Sequence, residues 1–230
     1  MQLFFTENTE NKFTISSQES KHITRVLRKK EGDILNFTDG KGNLLIAKII
    51  SSDIKKIEVK VIDKSKKEKK HNYYLHIAIS PTKKIDRFEW FLEKATEIGI
   101  DEITPIICDH SERKFLKKER CDKILISAMK QSLKFHKPTL NEAISFTEFI
   151  KKKFDENKYI AHCKDNEKLD FKTLSKTERY LILIGPEGDF SKNEIKTSLK
   201  NNFQSISLST SRLRTETAAI VAVNTVNLKN

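Results

Sequence analysis

Leu181-Ile182-Leu183-Ile184-Gly185-Pro186-Glu187-Gly188-Asp189 is an apolar run that empties into a small, charged loop. The pattern returns as Ile206-Ser207-Leu208 followed by Ser209-Thr210-Ser211-Arg212-Leu213-Arg214-Thr215-Glu216-Thr217, ahead of a second apolar stretch. Two strand–loop–helix units side by side in a parallel sheet bring both loops to the carboxyl edge of the strands, where such sheets bind ligands. Pro186 fixes φ while Gly185 and Gly188 permit tight curvature, so main-chain groups can face a ligand closely. Neither a Gly-Lys-Ser/Thr phosphate loop nor the Gly-x-Gly-x-x-Gly dinucleotide spacing is present. The second loop sets a guanidinium, two hydroxyls and a carboxylate at a helix start. An N-cap role for Thr215 or Thr217 explains one threonine and leaves Arg214 and Glu216 unexplained.

Outward from these loops, strands and helices alternate from Tyr73 onward. Residues 74–79, 103–108, 159–163, 181–184 and 204–208 are expected strands. Asp86 with Glu89 has the spacing of a capping box. The helix that follows carries Phe88, Phe91, Leu92, Ala95 and Ile98 on one face and ends at Gly99. Helices are also expected over 117–134, after Ser191 with Glu194, and over 216–228. This alternation implies an α/β fold with a parallel sheet and helices on both faces. The front of the chain differs. Phe4-Phe5, residues 13–15, a hairpin over 34–50 turning at Asp39-Gly40, and residues 57–61 are short strand candidates. With one helix over 19–30, whose apolar face is Ile23, Val26 and Leu27, they imply a small β-barrel. Residues 64–70 contain no apolar side chain and suit a linker, which gives expected domains at 1–70 and 71–230.

The net charge of +12 and pI near 9.4 point to a polyanionic partner, although a lysine-rich composition alone can produce them. Residues 1–70 hold 16 Lys/Arg against 10 Asp/Glu, half of the net charge in under a third of the chain. No apolar run approaches the roughly 20 residues of a membrane span, and the first residues do not read as a signal peptide. Cys108, Cys121 and Cys163 lack disulfide or zinc spacing and suit reduced thiols in the cytoplasm. The histidines show no ligand spacing, and His162 reads as core packing.

Taken together, Ile184-Gly185-Pro186-Glu187-Gly188 and Leu213-Arg214-Thr215-Glu216-Thr217-Ala218 resemble a bacterial ribosomal-RNA methyltransferase family. That family methylates uridine N3 in the small-subunit RNA and lies in the knotted SPOUT superfamily. Lys94-Ala95-Thr96-Glu97-Ile98-Gly99-Ile100 with Ile103-Thr104-Pro105 is similar to a third family segment. His22-Ile23-Thr24-Arg25-Val26-Leu27-Arg28 with Gly32-Asp33 is similar to its PUA-like RNA-binding domain. Two departures stand out: Asp189 occupies a place where the family usually has a second glycine, and Lys134 replaces an arginine, losing its bidentate fork.

The resemblance implies a knotted SPOUT-type parallel sheet with flanking helices, preceded by a PUA-like β-barrel. It implies a C-terminal trefoil knot, an exception to the general absence of knots, and a homodimer packed through the knotted domain. S-adenosylmethionine would be the cofactor, held by Ile184, Gly185, Glu187, Gly188, Leu208, Ser209, Leu213, Thr215 and Thr217. The substrate would be 16S rRNA or the assembled small subunit, with no metal and no membrane. Arg214 would stabilise charge on the uracil or hold a phosphate. Glu216 would be the base or orient Arg214, and the helix dipole favours the orienting role. His22, Arg25, Arg28 and Lys29 would contact RNA phosphates. The competing readings are a SPOUT methyltransferase for another RNA, such as transfer RNA, and a non-catalytic RNA-binding assembly factor.

Overall fold

Alternating apolar residues in the first 70 positions build a five-stranded sheet: β1 (Leu3–Phe5), β2 (Lys12–Thr14), β3 (Ile34–Thr38), β4 (Asn43–Asp53) and β5 (Lys56–Lys66). The computed structural model describes residues 1–53, 56–164 and 167–230. The strand order is β1-β3-β4-β5-β2. Phe37 in the sheet meets Phe4 of β1 at 5.6 Å and Phe13 of β2 at 5.2 Å between ring centroids. Both outermost strands thus pack on one core, and the sheet curls around it. β5 continues to Lys66, so the first part of the expected linker is strand.

Two local expectations change. Helix α1 (Ser17–Lys21), capped by the Ser16 side chain, passes into a π-helical turn over His22–Val26. The wider turn buries Ile23 and leaves Val26 65% exposed, where a regular helix would have placed them on one face. At the hairpin tip only Gly40 and Gly42 have positive φ. The Asp39 side chain accepts from the Lys41 and Asn43 N–H groups, so the turn at Asp39-Gly40 widens into a tip braced by this carboxylate. Residues 129–137 belong to this unit: Gly42 N–H donates to Phe135 O at 2.8 Å and Lys130 pairs with Glu19 at 2.9 Å.

The second unit, His71–Ala128 with Pro138–Asn230, is built on a parallel sheet. Its elements are β6 (Tyr74–Ile79), α2 (Ile85–Ile98), β7 (Glu102–Ile107), α3 (Lys118–Gln131, whose last residues count with the first unit), β8 (Thr139–Leu140), β9 (Ile144–Ser145) and α4 (Phe146–Phe149). They continue with β10 (Asn157–Ala161), β11 (Leu169–Asp170), β12 (Arg179–Ile184), α5 (Lys192–Lys200), β13 (Gln204–Ser207) and α6 (Thr215–Lys229). The order is β11-β13-β10-β12-β6-β7-β8, with β9 beside β7. Leu181 to Ile184 are all at most 2% exposed, as a central parallel strand covered on both faces requires. On one face Ile77 and Ile182 pack with Phe88 and Phe91 of α2 and with Ala219 and Val223 of α6. On the other, Leu181 and Leu183 pack with Phe146, Phe190, Ile195 and Phe203.

Ser191 and Glu194 form the expected capping box of α5, and Gly99 closes α2 with φ 145°. The expected cap of α2 is not made. The helix starts two residues earlier, Lys84 takes the N-cap position without a side-chain bond, and Asp86 lies in the first turn. Glu89 is drawn to Arg120 at 2.5 Å instead.

Candidate active site at the carboxyl edge of the sheet

β10 lies between β12 and β13, so the loops leaving all three strands emerge side by side. They enclose a cavity of about 730 Å³, within the range that binds a small molecule or cofactor. Ile184, Gly185, Glu187, Leu208, Ser209, Leu213, Arg214 and Thr215 all line it. Gly188 and Thr217 do not. Gly188 sits against the β7 loop, where its carbonyl lies 3.1 Å from His110 Nδ1 and a Cβ would come within 3.0 Å of His110. A Cβ on Gly185 would come within 3.0 Å of the Phe190 ring, so glycine is what lets this loop fold back against Phe190.

The two loops are joined directly. Thr215 is buried, and its hydroxyl donates to the Gly185 carbonyl at 3.0 Å. It therefore does not cap α6; Arg214 stands at that position and makes no side-chain cap bond. The Arg214 side chain is exposed on the cavity wall and makes no ion pair among the described residues. Glu216 turns the other way. It is 7% exposed, its Oε1 lies 3.6 Å from Arg87 Nε on α2, and its Oε2 is buried with no hydrogen-bond partner. The expected pairing of Glu216 with Arg214 is not made; Glu216 anchors the start of α6 to α2.

Asp189, in place of the usual glycine, keeps the left-handed backbone with φ 63°. Its short polar side chain tolerates this conformation better than most residues do. Its Oδ1 accepts from Phe190 N–H at 2.8 Å and its Oδ2 from Cys163 N–H at 3.0 Å. The carboxylate thus ties the loop after β12 to the loop after β10, a link that glycine would not make. His162, Cys163, Lys168 and Ala218 also line the cavity, and nothing in the local sequence marks them as cofactor contacts. Burial, with Lys168 adding to it, holds the His162 imidazole below its usual value. Its Nε2 lies 3.0 Å from Ser205 Oγ, and its Nδ1 is buried without a partner.

In the first unit, His22, Arg25 and Arg28 are exposed and Lys29 is half-buried, and none forms an ion pair among the described residues. The π-turn and the left-handed Arg28 (φ 54°) determine their directions. No three His, Cys, Asp or Glu side chains gather as a metal site among the described residues. No described helix is long and apolar enough to cross a membrane.

A parallel sheet with two bonded loops closing one cavity at its carboxyl edge defines a ligand-binding α/β domain. A family model described as an RNA methyltransferase domain matches residues 68–227, and one described as an RNA methyltransferase PUA domain matches residues 15–62. The chain belongs to the RNA methyltransferase family and is an enzyme of that class. Ribosomal RNA small subunit methyltransferase E of Buchnera aphidicola is 32% identical, over 93% of this chain and 87% of that protein. The crystal structure of a probable rRNA-methyltransferase from Porphyromonas gingivalis superposes with a TM-score of 0.94 at 39% identity, covering 100% of this chain and 98% of the other. The enzyme from Neisseria gonorrhoeae, solved with S-adenosyl methionine, shares the fold at a TM-score of 0.87 and 23% identity, covering 99% and 97%.

Proposed function

We propose that this enzyme transfers the methyl group of S-adenosylmethionine to N3 of a uridine in the RNA of the small ribosomal subunit. The observation that carries the reading is the Thr215–Gly185 bond, which joins the two loops into one cavity with Arg214 on its wall. The cavity fits the cofactor. Ile184, Ile206, Leu208 and Leu213 offer apolar surface for an adenine ring, and the main chain of the two loops offers polar groups for its edges. Relatives named for methylation of small-subunit ribosomal RNA, one of them solved with the cofactor, support the same choice.

When bound, S-adenosylmethionine supplies an electrophilic methyl group on a positive sulfur. The protein's part is to place a uracil ring against it and to make loss of the N3 proton easier. Arg214, exposed and without an ion pair, is free to face charge that builds on a uracil carbonyl oxygen as N3 gives up its proton. Thr215 holds Arg214 in register with the cofactor loop, and Glu216 fixes the helix behind it through Arg87. His22, Arg25, Arg28 and Lys29 hold RNA phosphates in this reading, in a domain spanning residues 1–70. The trefoil knot, the homodimer packed through it and a cytoplasmic location belong to the same proposal.

Two measurements test it. Calorimetry with S-adenosylmethionine should give one site per chain, and small-subunit RNA from a strain lacking the gene should carry one unmethylated uridine that the purified enzyme restores. A chain that binds no cofactor, or RNA identical in the two strains, overturns the reading.

A further inference from the structure

The loop after β7 reaches the rim of the cavity and presents an aromatic ring to solvent. His110 Nδ1 lies within 3.1 Å of Gly188 O and 2.9 Å of Asp189 O. Three residues on, Arg113 donates from Nε to Thr82 O at 3.1 Å and from Nη2 to Lys83 O at 2.8 Å. Lys83 N–H in turn donates to Glu187, a cavity residue, at 2.9 Å. Leu116 packs into the core. The segment is therefore fastened on both sides of Phe115, and Phe115 itself is 70% exposed.

The charges around this ring are unbalanced. Asp109 accepts from Ser191, and Glu112 is paired with Lys83 at 2.7 Å. Lys118 and Arg120 are paired with Glu142 and Glu89. Arg113, Lys114 and Lys117 make no ion pair with an acid among the described residues. An exposed aromatic ring on a fastened segment, between uncompensated cations, matches what single-stranded RNA offers, a flat base with phosphates on either side. A protein partner would call for contiguous apolar surface, whereas Phe115 is set in sequence between Lys114 and Lys117.

We propose that Phe115 stacks on an unpaired base of the RNA substrate near the methylated uridine, with Arg113, Lys114 and Lys117 meeting the phosphates beside it. This rests on the reading of the chain as a small-subunit RNA methyltransferase. The stack fixes how far a nucleotide reaches into the cavity, because its platform is bonded to the loop that forms the cavity wall.

The test is methyl transfer to small subunits purified from cells lacking the gene, with wild type and with Phe115→Ala, Phe115→Leu and Phe115→Trp. Stacking on a base is worth about tenfold in binding, so KM for subunits should rise about that much for Ala and for Leu. Trp should restore it, and cofactor affinity by calorimetry should stay unchanged in all. An unchanged KM for Phe115→Ala overturns the stack. Rescue by Leu as complete as by Trp also overturns it, since that reports an apolar contact with a ribosomal protein. A wild-type chain that binds cofactor but methylates no subunits overturns the functional reading, and the stack with it.

Discussion

The two ends of the parallel sheet carry buried polar groups of opposite character. At the amino end, His76 Nε2 lies 2.7 Å from Thr104 Oγ1, Asn141 Nδ2 donates to Thr104 at 2.7 Å and to Glu102 at 2.6 Å, and Tyr74 donates to Glu102. Arg179 stacks over the Tyr74 ring at 4.2 Å and pairs with Glu156. None of these side chains holds an unpartnered buried atom. Burial opposes ionisation of Glu102, yet His76 and the bonds from Tyr74 and Asn141 outweigh it and hold the carboxyl below its usual value. At the carboxyl end, His162 Nδ1 is buried without a partner in the cavity lining, and Arg214 stands unpaired on the cavity wall. A saturated network serves stability, whereas unspent bonding capacity beside a cavity marks where a ligand acts.

Substitutions at the two ends should therefore fail in different assays. The largest effect is expected from Arg214→Ala. Methyl transfer should fall on the order of 100-fold with the unfolding midpoint unchanged, and wild-type turnover in a single-turnover assay would break the assignment. Next is Thr104→Val, which leaves His76 and Asn141 short of a partner. It should cost about 2 kcal/mol of stability in urea titration while cofactor affinity holds. A loss of cofactor binding without a loss of stability would erase the distinction between the ends.

Smaller effects sharpen the comparison. Asp189→Ala keeps a side chain at a left-handed position and removes both hydrogen bonds, so cofactor affinity should fall about tenfold, a cost typical of that backbone strain. Asp189→Gly removes the bonds and relieves the strain, and calorimetry should place it between Ala and wild type. Smallest is the response to pH. Burial holds His76 and His162 below the ordinary histidine value of 6.5. The unfolded chain takes up these protons first, so stability is full above that value and declines as pH falls below it, by about 1 kcal/mol per unit for each group. His76→Gln should make the decline between about pH 7 and 5.5 shallower; an identical slope would place the titrating group elsewhere.

What could be read from the sequence was what short-range chemistry dictates. The loops at 185–189 and 209–217, the Ser191–Glu194 capping box and the terminating Gly99 depend on neighbours within a few residues. What could not be read depends on distant partners. Thr215 looks like a cap until Gly185, thirty residues earlier, is placed against its hydroxyl. Glu216 looks like a partner for Arg214 until Arg87 is placed nearer. Asp189 looks like a loss of backbone freedom until Cys163 N–H is found within reach of its carboxylate. The strands β8, β9 and β11 have two residues each, too few for any period to show. The π-turn at His22–Val26 likewise has no sequence period of its own.

The Thr215–Gly185 bond also has a meaning for how the protein is made. A growing chain that has passed β12 but not yet produced α6 owns one wall of the cavity and lacks the other. Until the second wall arrives, Gly185 has no hydroxyl to accept from and the cofactor has nothing to close over it. Competence for methyl transfer is thus gained late in synthesis, and a chain that has not yet made α6 lacks the wall needed to close the cavity over cofactor.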